Sequence, residues 1–121
     1  MKLPENDGQV LLLHNPRCSK SRATHALLEE KGIAFETREY LNAPLSREEL
    51  DEVGRRLGRG PREWTRAKEA AWAEAGLDGD ASDDAILDAV VAQPVLMERP
   101  IVVRGDRAAI GRPPEDVLAL F

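Results

Sequence analysis

A short run, Gln9–His14 (QVLLLH), stops at Asn15-Pro16, and the pattern turns helical from Ser19. A run with apolar residues on both faces reads as a strand buried within a sheet, because a strand with one wet face would alternate. The Asn-Pro step then takes the chain out into a loop. Ala23, Ala26 and Leu27 share one face of the helix that follows, and Gly32 supplies its C-terminal cap. Ile33–Tyr40 (IAFETREY) alternates, with β-branched and aromatic residues at intervals, and reads as a second strand. Strand, helix and strand in this order predict a parallel βαβ opening.

The middle of the chain is helical. Ser46-Arg47-Glu48-Glu49 matches a capping box, and Leu50, Val53 and Leu57 recur at helical spacing behind it. Pro61 suits the first turn of a third helix with Trp64, Ala67 and Ala71 on one face and Gly76 at its end. Ser82 or Asp83 caps a fourth helix, striped by Ile86, Leu87, Val90 and Val91 and closed at Gln93-Pro94. Ile101–Val103 is then a strand, Gly105-Asp106 a hairpin turn, and Arg107–Ile110 the return strand. The Arg104-Gly105-Asp106 string is read as that turn rather than as an adhesion motif. Pro113-Pro114 opens a last helix carrying Val117, Leu118 and Phe121.

A chain of 121 residues builds one modest core, so residues 1–121 are expected to form a single domain. Residues 1–8 are polar, carry Glu5 and Asp7, and read as a flexible extension rather than a signal peptide. The net charge of -5 argues against broad nucleic-acid binding, and no apolar run is long enough to span a membrane. Arg55, Arg56, Arg59, Arg62, Arg66 and Lys68 crowd one stretch, which is either a solvated helical face or a docking surface. A single cysteine cannot form an internal disulfide, and a reducing cytoplasm is the expected setting.

That cysteine lies in His14-Asn15-Pro16-Arg17-Cys18-Ser19-Lys20-Ser21-Arg22, between a strand end and a helix start. Unsatisfied N–H groups and the positive end of the helix dipole stabilise an anion there. A thiol so placed can have its pKa lowered from about 8.5 to roughly 3.5–7.5. Arg17, Lys20, Arg22 and His14 would act in the same direction, and a thiolate populated at neutral pH is a nucleophile. Spacing alone leaves two readings open, a small buried hydrophobe and a reactive thiolate, and the polar, cationic loop argues against burial. The phosphatase pattern Cys-x5-Arg fails because Thr24 stands at the arginine position. The dithiol pattern Cys-x-x-Cys fails at Ser21, so any second thiol must come from a partner. His14, Cys18 and His25 are too few and too scattered to predict a metal site.

The His14-Asn15-Pro16-x-Cys18 segment, with Ser21-Arg22 behind it, resembles the active-site segment of the glutaredoxin-dependent arsenate reductase (ArsC) family. Glu98-Arg99-Pro100-Ile101-Val102-Val103 and Gly111-Arg112-Pro113 resemble that family's two downstream motifs, in order and at appropriate spacing. The likeness runs from about Gln9 to Phe121, and the first two strings look especially like a shorter YfgD-like branch. The resemblance implies an α/β thioredoxin-like fold, with a mixed sheet, βαβ then β-hairpin-α, and a helical insertion. It implies that the Cys18 thiolate attacks arsenate, that His14 assists the thiolate, and that Arg66, Arg99 and Arg112 bind the oxyanion. Asn15 and Ser21 join that binding set, and the Arg99-Pro100 peptide is expected to be cis.

Arsenite would be released by glutathione as co-substrate and then by glutaredoxin, with no bound cofactor or metal. Three guanidinium forks and a helix N-terminus suit a tetrahedral oxyanion chemically. Two other readings accompany this one. The substrate could be another small oxyanion or a glutathione mixed disulfide. The chain could instead be a Spx-like regulator that binds RNA polymerase, although Ser21 removes the second thiol of a Cys-x-x-Cys switch.

Overall fold

In a computed structural model describing residues 3–121, the Gln9–His14 run becomes β1, Val10–His14, flanked on both sides within a sheet. Helix α1 spans Ser19–Glu30 and β2 spans Glu36–Glu39. Strands β3, Ile101–Arg104, and β4, Arg107–Ile110, complete a four-stranded mixed sheet in the order β2-β1-β3-β4. β1 runs parallel to β2 and antiparallel to β3, with Leu12 opposite Thr37 on one side and Val102 on the other. The βαβ opening and the hairpin are therefore as expected.

The chain divides into two compact units. One runs up to Ala43 and resumes over Arg99–Phe121, and the other is Pro44–Glu98. The first holds the sheet and a core of Val10, Leu12, Leu28, Val102, Val117 and Leu120, with Ile33, Phe35 and Ala109 packed against it. Leu12 is fully buried, so Leu12→Ala would cost about 2–5 kcal/mol through lost transfer energy and the cavity left behind. Of the expected extension 1–8, Met1 and Lys2 lie outside the described residues. Further along it, Pro4 is buried and the Asp7 carbonyl accepts from Arg104 Nε at 2.9 Å.

Three expectations are corrected within this unit. Helix α1 turns Ser21, Thr24 and Leu28 inward, while Ala23 and Ala26 are exposed. The buried hydroxyls find partners: Thr24 Oγ1 donates to Lys20 O at 2.9 Å, and Ser21 Oγ accepts from the Asn15 amide at 3.0 Å. A hydrophobicity pattern cannot foresee a polar stripe satisfied in this way. Second, β2 is shorter than Ile33–Tyr40, because the Ile33 amide is spent closing α1 on Leu28 O. Third, the last segment, Pro114–Leu120, is a 3-10 helix. Its three-residue period puts Val117 and Leu120 inward, and Phe121 is left exposed under the Arg104 guanidinium.

The second unit is the helical insertion. Helix α2, Arg47–Leu57, has the reciprocal capping box, with the Glu49 amide on Ser46 Oγ at 3.1 Å and the Ser46 amide on Glu49 Oε1 at 2.9 Å. It ends at Gly58, whose φ of 70° is left-handed. The expected helix from Pro61 to Gly76 is instead a 3-10 turn, Pro61–Trp64, followed after a break by α3, Ala70–Glu74. The break has a backbone cause. Thr65 bridges Met97, the Arg66 amide donates to Leu96 O at 2.7 Å, and the Glu98 amide donates to Trp64 O at 2.9 Å. These ladder bonds outcompete helix continuation over a β-branched residue. Helix α4, Asp83–Ala92, is capped by Ser82. Ile86, Leu87 and Val90 are buried and Val91 is exposed, so the expected stripe loses one member. Among the described residues no helix is long and apolar enough to cross a membrane.

Candidate active site

Cys18 is the N-cap of α1, with extended backbone (φ -92°, ψ 126°) and no side-chain capping bond. The loop before it is closed by its own sequence. Asn15 O accepts from the Cys18 amide and Asn15 Oδ1 from the Arg17 amide, both at 3.0 Å. Arg22 Nη1 reaches back to Pro16 O at 3.0 Å. The sulfur thus sits where the first amides of the helix have no partner inside it.

Burial pushes the Cys18 thiol up, and the Ser21 amide, the Arg99 guanidinium and the Lys20 amide outweigh it, so the net displacement is downward. Each of these donors favours the thiolate over the thiol, and the Arg99 charge adds to its hydrogen bond. The expectation that the loop would keep Cys18 out of the interior is corrected, since the residue is only 8 % exposed. Its polar surroundings come from backbone amides and one arginine, which is how a buried thiol can still be ionised. The cations nearest in sequence do not set this environment. Arg17, Lys20 and Arg22 are exposed, and the side chain that reaches the sulfur belongs to Arg99.

His14 has a different place from that of a neighbouring cation. Its Nδ1 lies 2.6 Å from Ser21 Oγ, and its ring stacks at a tilt on His25, centroids 5.3 Å apart. Burial first, then the His25 and Arg22 charges, lower its pKa against an opposing pull from Glu39. The imidazole therefore takes up a proton less readily than an ordinary histidine, and its direct contact in the loop is with Ser21.

Asn15 and Ser21 are both buried beside the loop. Arg99 precedes β3, and the Arg99-Pro100 peptide is cis, as is Arg112-Pro113. Arg112 is exposed, and its Nε donates to Arg99 O at 2.9 Å. Six of the expected site residues, His14, Asn15, Cys18, Ser21, Arg99 and Arg112, together with Pro100, thus belong to the first unit. Arg66 belongs to the second, where its Nη1 is hydrogen-bonded to Glu69 and its Nε lies 3.8 Å from Glu98 Oε1. Those two carboxylates were not foreseen, and neither were Thr24 and Gly111, while the Lys20 amide is one of the helix-start N–H groups expected beside Cys18. Among the described residues no group of three or more His, Cys, Asp and Glu side chains could hold a metal ion. Clefts of about 580 Å³ beside Pro4 and Phe35 and about 400 Å³ beside Leu50 and Trp64 include none of the expected site residues.

A mixed sheet that delivers an N-capping, ionisable cysteine next to a cis Arg-Pro segment defines a thioredoxin-like thiol protein. The model of the ArsC family matches residues 13–120, and the chain belongs to that family. It is 45% identical over 115 residues to an arsenate reductase of Neisseria meningitidis, covering 93% of this chain and 98% of the relative. It is 46% identical over 114 residues to protein YfgD of Escherichia coli, covering 93% and 96%. A solved arsenate reductase from Vibrio cholerae superposes with a TM-score of 0.89 at 46% identity, over 93% of this chain and 98% of that one.

Proposed function

We propose that this protein is a glutathione- and glutaredoxin-dependent arsenate reductase of the cytoplasm, with Cys18 as the nucleophile. The observation that carries the reading is the Cys18 thiol held toward its anion by the Ser21 and Lys20 amides and by Arg99. The same donors suit a bound oxyanion, whose oxygens a guanidinium fork can engage in pairs. Relatives at 45% and 43% identity that bear the name arsenate reductase support arsenate as that oxyanion.

In this scheme Cys18 Sγ attacks arsenic, an arsenate oxygen leaves as water, and arsenic stays pentavalent in the thiol adduct. The cysteine of glutathione supplies the second thiol that the chain lacks, because Ser21 stands where a resolving cysteine would be. As the two sulfurs join in a disulfide, their electron pair reduces arsenic and arsenite departs. Glutaredoxin, whose potential lies near the glutathione poise, then reduces the mixed disulfide on Cys18. Arg99 and Arg112 are the oxyanion ligands in the first unit, and only the family resemblance names Arg66 of the second unit as a third. Asn15 and Ser21 shape the amide loop that receives the oxyanion.

The test is NADPH consumption coupled through glutathione reductase, glutathione and glutaredoxin, with and without arsenate. Consumption should require every component and should vanish in Cys18→Ser, since an alcohol is scarcely ionised at neutral pH. Arsenate-dependent consumption surviving Cys18→Ser would exclude the nucleophile. A wild type that forms a glutathione adduct on Cys18 yet ignores arsenate would keep the thiol chemistry and discard this substrate.

A further inference from the structure

Two different parts of the chain act on Cys18, the first turn of α1 through the Lys20 and Ser21 amides, and Arg99 through its side chain. They meet again at Gly111, the buried residue that follows β4. A Cβ built on Gly111 would lie 2.7 Å from Thr24 Oγ1 on α1 and 2.8 Å from Cγ of Pro100, with Pro100 Cδ at 3.3 Å. Atoms in contact normally stay roughly 3.5–4.0 Å apart, so either neighbour would have to retreat. Neither is loose. Thr24 is fully buried and its hydroxyl is bonded to Lys20 O at 2.9 Å. Pro100 is a ring locked in the backbone beside Arg99, and its carbonyl accepts the Gly111 amide at 2.9 Å. The next residue, Arg112, adds the bond from its Nε to Arg99 O at 2.9 Å.

We propose that Gly111 is a positioning residue for the Cys18 site: its missing side chain lets the Gly111-Arg112 segment close onto both α1 and Arg99-Pro100, which sets Arg99 against the sulfur. Gly111 touches neither substrate nor sulfur in this role and acts through Thr24 and Pro100. Its backbone φ is not left-handed, so the requirement for glycine is one of space alone. A methyl group here would widen the gap between α1 and the Arg99-Pro100 segment and lengthen the Arg99–Cys18 contact. The lowered thiol pKa supports the proposal, because a donor on Arg99 favours the thiolate only at hydrogen-bond range. The role rests on Cys18 as the reacting thiolate of the proposed reaction.

The experiment is a titration of thiolate absorbance in wild type, Gly111→Ala, Gly111→Ala with Thr24→Ala, and Arg112→Lys, with circular dichroism to establish folding. Rates of alkylation by iodoacetamide at neutral pH give a second readout. Folded Gly111→Ala should titrate at higher pH than wild type and alkylate several-fold more slowly. Adding Thr24→Ala removes one of the two clashes and should bring the midpoint part of the way back. Arg112→Lys keeps a positive charge but loses the Nε donor to Arg99 O, and should shift the midpoint in the same direction. A folded Gly111→Ala protein titrating like wild type overturns the proposal. Should that variant fail to fold, a folded Gly111→Ala, Thr24→Ala protein that titrates like wild type overturns it, because the clash with Pro100 remains in that protein. A wild-type thiol that is not depressed would instead remove the thiolate on which the proposed function depends, and this role with it. A depressed wild-type thiol with unmoved variants would remove this role alone.

Discussion

His14 Nδ1 and Ser21 Oγ lie 2.6 Å apart across the β1–α1 loop, and the same hydroxyl accepts from the Asn15 amide at 3.0 Å. Ser21 is fully buried, so its proton must be placed on a protein acceptor, and His14 Nδ1 is the one at hand. The histidine is then an acceptor at Nδ1 and carries its proton on Nε2. His14 serves the site by fixing Ser21, the residue whose amide faces the sulfur, rather than by adding charge.

The first prediction follows from that pair. Nitrogen NMR at neutral pH should show a neutral His14 ring protonated at Nε2, titrating below an ordinary histidine. His14→Ala should cost about 1–3 kcal/mol in urea unfolding, because it strands a buried hydroxyl. An imidazolium at neutral pH, or a proton on Nδ1, would contradict the assignment.

Arg99 carries the second. The thiol is depressed in the folded protein, so the thiolate and its reactivity rise with pH through a midpoint below that of free cysteine. Arg99→Ala should move that rise to higher pH and weaken sulfate or arsenate binding by about ten-fold or more. Arg99→Lys should weaken anion binding less, since the charge survives while the bidentate fork is lost. Calorimetric titration with sulfate would decide it, and affinities equal to wild type in both variants would place the anion elsewhere.

A third prediction concerns access. Cys18 is ionisable but only 8 % exposed, so small electrophiles should react readily and large ones slowly. Relative to a free thiol of matched thiolate content, a bulky aromatic disulfide should react at least about ten-fold more slowly than iodoacetamide does. Equal relative rates would mean that the sulfur stands open.

The helical insertion supplies the fourth. Arg55 and then Arg56 hold the Glu52 carboxyl at about 2, far below its ordinary 4.5, with Arg56 Nε on Oε1 at 2.8 Å. The unfolded chain takes up this proton near the ordinary value, so the stabilisation is present above it and lost as pH falls toward about 2. Glu52 is about one-third exposed, so Glu52→Gln should cost no more than about 1 kcal/mol at neutral pH. The gap between the urea midpoints of the two proteins should narrow as pH falls below 4.5 and close only below about 2, and a gap that does not narrow over that range would exclude the ion pair as its source.

Local rules made much of this protein legible. Val10–His14, the Ser46 capping box, the Ser82 cap and the Gly105-Asp106 turn depend on neighbours within a few residues, where propensity and hydrogen-bond chemistry act directly. The position of Cys18 was legible for the same reason, because a cysteine between a strand end and a helix start meets the helix amides wherever the rest of the chain goes. Tertiary structure decided what depends on distant segments. Thr65 left its expected helix to pair with Met97, α1 buried Ser21 and Thr24 in place of its alanines, and the cation on the sulfur came from Arg99. It also decided that His14 holds a proton less readily than an ordinary histidine, since burial and the His25 ring act on it only once α1 has folded back against β1. Sequence fixes which groups can donate, accept or ionise, and the packing of remote segments fixes which of them meet and in what charge state.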